Sequence, residues 1–390
     1  MKIKYWLIYL FSLILFACKK DEIKIEEPLI TSSSFQKNIG GLSDDIANSI
    51  VIKDDTLYVL GQSKSFNDTN GDHYLIKLDT DGNVIFEKTY GGNLAEEGIK
   101  IITSSDGNLI LIGTTESSGN GQKDIHVLKI NTNGIVLWEK SFGGSLDDKP
   151  IDIIETGTSE FCIAATTESF GSGTRDIYLI WVDQSGNLVR QITFGGSDID
   201  GSSGLIEIEN NKIMLYGYTR NFGANGRDLY LMKLTSTGDS LWSKRYGGNG
   251  YEESQGFART NSGGFLLSGH SSSTDPNHDM YVVEVDSSGN QIWENNYGGA
   301  KHDGGQALLI NNDGNYVLIA RSMSFGNGSR NIYMVVTDPN GDLITEKIIG
   351  GSQNDWGQDI IEYESFYYIV GHSNSFSPGD NDAYVVKLEK

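Results

Sequence analysis

The chain has 390 residues and a formal net charge of −22, so it should be repelled by phosphate backbones, which argues against nucleic acid as a partner. Its 48 Gly against 5 Pro fit glycine-made turns between many short strands and exclude both collagen and Pro-rich disorder. Hydrophobic residues at 38%, with 10% aromatic, suffice for a core and exclude wholesale disorder.

Lys2 and Lys4 precede an apolar run from Tyr5 to Phe16. That length suits the h-region of an export signal and falls short of the roughly twenty residues a bilayer helix needs. Residues 1–17 are therefore expected to be a signal peptide. The run ends Leu15-Phe16-Ala17-Cys18, which resembles the lipobox of bacterial lipoproteins. That resemblance implies cleavage before Cys18 and a lipid anchor on its thiol, so that the protein meets the membrane through the anchor. Lys19-Lys20-Asp21-Glu22 resembles the export signal of surface lipoproteins in the Bacteroidota, and implies an outer-membrane lipoprotein exposed at the cell surface; the alternative is the periplasmic face. Residues 18–33 then form a lipidated, flexible tether. With Cys18 acylated, Cys162 has no disulfide partner, and its apolar neighbours Phe161, Ile163 and Ala164 make it a small buried hydrophobe.

From residue 34 to 390 the chain repeats. A Gly-Gly pair recurs with its first Gly at 40, 91, 143, 195, 247, 298 and 350, which indicates seven units of about 52 residues. Each unit reads alike. An acidic residue and a short apolar run (Ile99 to Ile102) lead to a turn, Ser105-Asp-Gly-Asn108, and then to the continuous apolar run Leu109 to Ile112, suited to a strand buried on both faces. A Ser/Gly-rich loop, an alternating strand such as Asp72 to Leu78, the turn Asp79 to Asn83 and the run Val84 to Lys88 complete the unit. Four antiparallel strands per unit, a to d, predict an all-β, seven-bladed β-propeller. The seventh unit supplies only strands a, b and c, while Phe35 to Gly41 matches Phe86 to Gly92 without a preceding strand c. The N-terminal strand is expected to complete the last blade and remove both open edges.

The phrases Asp176-Ile-Tyr-Leu-Ile180, Gly134-Ile-Val-Leu-Trp-Glu-Lys-Ser-Phe-Gly-Gly144 and Asp106-Gly-Asn-Leu-Ile-Leu-Ile-Gly113 resemble the SBBP-type β-propeller repeat proteins of secreted bacterial and archaeal proteins. The resemblance implies the fold and no particular activity. The strand-d residues Trp138, Trp242 and Trp293 are also similar to those of quinoprotein-type propellers, including the outer-membrane assembly lipoprotein. This likeness implies an aromatic packing device and carries no chemistry.

Several polar positions recur. Asp45, Glu96, Asp148, Asp200, Glu252, Asp303 and Asp355 each follow the second Gly by four residues. A metal-binding or cation-selecting ring is one reading. Neighbouring sheets lie about 10 Å apart and Ca²⁺ ligands about 2.3–2.6 Å from the ion, so the favoured role is accepting backbone N–H groups around the Gly-Gly turn. Ser63, Thr115, Thr167, Thr219, Ser271, Ser322 and Ser373 end strand b, opposite Asp72, Asp124, Asp176, Asp228, Asp279, Asn331 and Asp382 opening strand c. Hydroxyl and acceptor are expected to satisfy each other and the loop amides. Lys123, Arg175, Arg227, His278 and Arg330 precede that acceptor; they form either local ion pairs or an arc facing an anionic ligand.

Catalytic groups are not evident. The six His residues show no metal-ligand spacing, so no zinc site is expected. Asp68, Asn70 and Asp72 alternate as the start of a Ca²⁺ loop does and are candidate calcium ligands, an Asx-rich turn being the alternative; no other cofactor is expected. Departures from the repeat mark where binding should be sought. Arg190 and Thr345 replace the strand-d aromatic, and Tyr251, His302 and Trp356 stand beside the acidic position of units five to seven, a composition suited to stacking on a sugar or peptide. The expected function is non-enzymatic binding or scaffolding by a surface-anchored lipoprotein whose partner is a glycan, a peptide or an envelope protein. The alternative is an envelope enzyme acting on glycans or a quinone-dependent dehydrogenase.

Overall fold

The structure, a computed structural model, describes residues 34–66, 69–222, 226–273, 277–377 and 380–390. The expected signal peptide, the tether and Cys18 lie outside the described residues.

The chain forms seven sheets of four antiparallel strands, one per repeat. Strands a are Asp45–Lys53, Glu96–Thr103, Asp148–Glu155, Asp200–Ile208, Glu252–Arg259, Asp303–Ile310 and Asp355–Tyr363. Each packs on its counterpart in the next blade and the seventh packs on the first, so the propeller closes around a channel lined by strands a.

Burial explains the order of strands within a blade. In blade 2, strand b (Leu109–Thr115) and strand c (Asp124–Ile130) are buried along their whole length, while strand d (Val136–Phe142) is mostly exposed or half-buried. A run such as Leu109 to Ile112 has no polar face, so both faces need cover, and the flanking blades supply it. The apolar core is accordingly divided among the junctions between blades. At one of them Ile110, Ile112, Ile125 and Val127 of blade 2 meet Ile153, Phe161, Ile163 and Tyr178 of blade 3. Each fully buried Ile is worth about 1.5–3 kcal/mol, so a blade without neighbours loses most of what stabilises it.

The N-terminal strand Phe35–Ile39 completes blade 7. It pairs antiparallel with the last strand, Asp382–Glu389, in the register Phe35 to Lys387 through Ile39 to Ala383. Ile39 joins Ala383 and Val385 of blade 7 and Ile50, Val59 and Tyr74 of blade 1 in one cluster. Phe35 packs on the c-to-d turn of blade 1, where Gly82 has φ +75° and a Cβ would lie 2.5 Å from the Phe35 ring. Lys37 Nζ donates to the Asp81 and Gly82 carbonyls of that turn, both at 2.9 Å. Trp138 sits against Gly186 and Trp242 against Gly289 in the same manner, so the strand-d aromatic seals a blade to the next.

Every strand a also carries an irregularity early in its length, between Ala47 and Ser49 in blade 1 and between Gly357 and Asp359 in blade 7, with counterparts in the other five. A bulge adds an unpaired residue and re-aims its side chain. The residues so placed, Asn48, Ile99, Ile151, Ser203, Gln255, Gln306 and Gln358, line the channel.

Candidate functional site

The seven acids that open strand a are buried, at 0–1% exposure. Each accepts the backbone N–H of the second Gly of its pair, at 2.7 to 3.3 Å. The first Gly lies between two carboxylates: a Cβ at Gly143 would stand 1.9 Å from Asp124 Oδ1 and 2.8 Å from Asp148 Oδ2. That crowding accounts for the first Gly of the pair; a Cβ on the second would stand 2.5 Å from Ser169 Cβ at Gly144. The strand-b hydroxyls differ from expectation. Thr115 and Asp124 are register partners, yet Thr115 Oγ1 donates to Glu96 Oε1 at 2.8 Å, as Ser271 Oγ does to Glu252 Oε1 at 2.7 Å. The strand-c acid is engaged elsewhere, Asp124 Oδ2 accepting the amides of Asn120 and Gly121, both at 2.9 Å. A hydroxyl has one proton to give, and in blades 2, 4, 5 and 7 the strand-a acid takes it; in blades 1, 3 and 6 Ser65, Ser169 and Ser324 donate to that acid instead.

A second set of bonds joins each blade to the one before it. The amide of the strand-a acid donates to the carbonyl of the residue preceding strand c in the previous blade: Glu252 N to Arg227 O at 2.7 Å, Asp303 N to His278 O at 3.4 Å and Asp355 N to Arg330 O at 3.0 Å. This clasp gathers side chains from strand a, from the end of strand b and from the b-to-c loop at one mouth of the channel. Before the strand-b hydroxyl, blades 1 to 3 carry Gln62, Thr114 and Thr166, whereas blades 4 to 7 carry Tyr218, His270, Arg321 and His372. The mouth is therefore lopsided.

On that side the rings and guanidinium groups form one arc. Arg227 lies 4.1 Å from the Tyr218 ring centroid and 4.6 Å from that of Tyr251. The Tyr251 ring is 6.5 Å from His270, which is 5.3 Å from His302, and His278 stands 5.9 and 5.8 Å from these two imidazoles. Arg321 Nη2 is 3.4 Å from His302 Nε2 and its guanidinium 5.5 Å from the Trp356 centroid. Trp356 stacks at 5.1 Å on His372, its partner across strands a and b. Tyr251, His302 and Trp356 thus fall in one arc without touching: His270 separates the first two, and Arg321 the last two. Burial, and then the charges of His302 and Arg321, push His270 down to about 3; burial, then Arg321, also lowers His302. Both shifts favour the neutral form of His270 and His302. His270 and His372 are weighed in the sequence only as metal ligands, and Arg321 and Tyr218 are not singled out there, although the change of residue type after blade 3 is visible in it.

Of the other sequence candidates, Arg175 reaches Tyr218 at the end of this arc. Lys123 and Arg175 form local ion pairs, with Glu116 at 3.7 Å and Glu168 at 2.7 Å. Of the candidate calcium ligands, Asp68 lies outside the described residues, Asn70 Nδ2 donates to the Asn93 carbonyl at 3.2 Å, and Asp72 is buried opposite Ser63. Arg190 lies 4.4 Å from the Trp181 centroid and pairs with Glu160 at 2.8 Å. No group of three His, Cys, Asp or Glu residues among the described residues is arranged to hold a metal ion. In the channel a cavity of about 300 Å³ contains Lys100, Asp152 and Asp359. Lys100 Nζ is 3.1 Å from Asp359 Oδ2. Burial opposes the Lys100 charge, but Asp359 and Asp152 more than offset it and hold its pKa above the usual value. It is a locked cation, unsuited to act as a base.

A family model described as a domain of unknown function, DUF5122 beta-propeller, matches residues 104–134. No curated protein matches the chain. Among solved structures, a puromycin hydrolase is similar at 12% identity and a TM-score of 0.56, over 94% of this chain and 55% of that one. The WD40 domain of Neurospora crassa Pan2 is similar at 11% identity and a TM-score of 0.54, over 92% and 97%. A protein of unknown function from Bacteroides caccae aligns at 12% identity over 75% and 93%, with a TM-score of 0.47. At such identities the likeness concerns the fold alone. Seven matching sheets, a closed ring and a beta-propeller family model within blade 2 make this chain a β-propeller repeat protein.

Proposed function

We propose that the protein is a surface-anchored lipoprotein with a non-enzymatic role, binding a glycan, a peptide or an envelope protein at the lopsided mouth of its channel. One observation carries this reading: the aromatic, imidazole and guanidinium groups of blades 4 to 7 gather in a single arc, while at the position before the strand-b hydroxyl blades 1 to 3 hold only Gln62, Thr114 and Thr166. Packing alone would repeat with the blades; a contact surface for one ligand need not. The anchor rests on the sequence around Cys18.

The test of the mouth is array screening with glycans and peptides, followed by titration of the hits against Tyr251→Ala/Trp356→Ala. Weaker binding with an unchanged melting temperature supports the reading, and wild-type affinity rejects it. Turnover of a bound glycan would favour the enzyme alternative. For the anchor, Cys18→Ala should release the protein from membranes or leave it unprocessed, and replacing Lys20 to Glu22 with Ala should leave it anchored but shielded from external protease. Unchanged protease access in that second variant would sink surface exposure alone.

A further inference from the structure

Arg321 and Arg330 come from the two sides of one hairpin in blade 6: Arg321 from strand b (Tyr316–Ser322), Arg330 from the position before strand c (Asn331–Thr337). Both guanidinium groups lie over the indole of Trp356 in blade 7, at 5.5 and 4.9 Å from its ring centroid. The counterparts of Arg330 in earlier blades have acids: Lys123 has Glu116, Arg175 has Glu168, and Arg227 has Glu253 at 3.8 Å. Among the described residues neither Arg321 nor Arg330 has a carboxylate within 4.0 Å. Arg321 instead meets the neutral His302, and its Nε is buried with no hydrogen-bond partner. Burial, and then the charge of Arg330, lower the pKa of Arg321 from its usual value. Glu253, which pairs with Arg227 and His270, offsets only part of this, so in a chain with 52 acidic against 30 basic residues two cations with no directly paired acid are held against their own repulsion. An oxyanion bound by their exposed donors relieves that repulsion.

We propose that Arg321 and Arg330, supported by Trp356, form an anion subsite that takes the carboxylate of an acidic sugar residue in a glycan. The inference rests on the reading of the mouth as the binding face and names its ligand class. A guanidinium fork matches the two oxygens of a carboxylate. A densely charged polyanion is strongly repelled by a chain of −22, whereas an isolated carboxylate on an otherwise neutral ligand is repelled far less. Hydroxyl groups also find partners here: His302 and His372 flank the pair, and Gln306 and Gln358 of the same two blades line the channel below.

The experiment is calorimetric titration of the full-length protein, in detergent, with a glucuronate-terminated trisaccharide, its methyl ester and the glucose-terminated analogue. The acid should bind about tenfold or more tightly than the ester, as expected for charge-assisted hydrogen bonds. Arg321→Gln and Arg330→Gln should each erase that preference without lowering the melting temperature, and Arg321→Lys should restore part of it. Equal affinity for acid and ester, or a preference that survives in Arg321→Gln/Arg330→Gln, would overturn the inference. So would no binding of any of the three sugars, or a preference for a peptide C-terminus over the glucuronate. Binding of ester and acid alike that is lost in Tyr251→Ala/Trp356→Ala overturns the anion subsite and leaves the binding face standing.

Discussion

Replacing Glu96 with Ala removes a carboxylate that accepts three hydrogen bonds: from Gly92 N at 2.8 Å, Thr115 Oγ1 at 2.8 Å and Ser117 N at 3.1 Å. The side chain is 1% exposed, so water does not readily take its place. Hydrogen bonds to a charged group contribute about 1.5–3 kcal/mol each, and relief from burying the charge offsets part of the loss, leaving a cost of about 3–5 kcal/mol. With an unfolding entropy of roughly 2.1 cal/mol/K per residue over residues 34–390, that cost lowers the melting temperature by about 4–7 °C. Glu96→Gln keeps an acceptor but turns an amide N–H toward one of the donors, and should fall between. The assay is scanning calorimetry of wild type and both variants, with and without EDTA. If the acid is a hub for the Gly-Gly turn, EDTA leaves the wild type unchanged and Glu96→Ala melts early. A shift in Glu96→Ala of less than about 1 °C would refute the reasoning, and so would EDTA reproducing the drop in the wild type.

Two further outcomes follow from the closing strand and the buried imidazoles. Ile39→Ala, in the cluster that joins blades 7 and 1, should cost about 2–3 kcal/mol in urea unfolding, and deletion of Ser34 to Ile39 should leave an open edge that aggregates; a truncated chain with the wild-type midpoint would contradict a ring closed by that strand. His73 Nε2 and His126 Nδ1 lie 3.0 Å apart, with burial and then the partner's charge holding His73 well below its usual range, burial also lowering His126, and burial bringing His372 to about 4. Because these folded pKa values lie below the unfolded value of about 6.5, the unfolded chain binds more protons at lower pH. Their contribution is full above about pH 6.5 and falls by up to roughly 1.4 kcal/mol per pH unit per His as the pH drops toward the folded values. Urea midpoints at pH 7.5 and 5 should therefore differ, and His73→Gln should reduce the difference; equal midpoints in the wild type would refute it.

The fold was readable because its signals are local. Leu109 to Ile112 has no polar face, Asp79 to Asn83 forms a turn in which Asp79 Oδ1 accepts the amides of Asp81 at 3.0 Å and Asn83 at 2.8 Å, and the Gly-Gly pair returns with every unit. The N–H acceptor role of the strand-a acids was readable for the same reason, since Glu96 and Gly92 are four residues apart. The hydroxyl of Thr115 was misassigned because two acids compete for it, and only the positions of Asn120 and Gly121 around Asp124 decide the outcome. The strand-a bulges, which set the channel lining, left no recognised signal in the apolar pattern.

Sequence alone determined the all-β class, the seven units, the order of strands within each and the complementary ends, because strand burial and turn geometry depend on residues within a few positions of one another. The tertiary structure decided which side chains form the mouth. Arg321 meets His302 of its own blade and Trp356 of the next, and His270 of blade 5 meets His302 of blade 6. Those meetings are set by the hydrogen bonds from each strand-a amide to the preceding blade's loop and by the packing between blades, which act across tens of residues and leave no periodic trace in any one repeat.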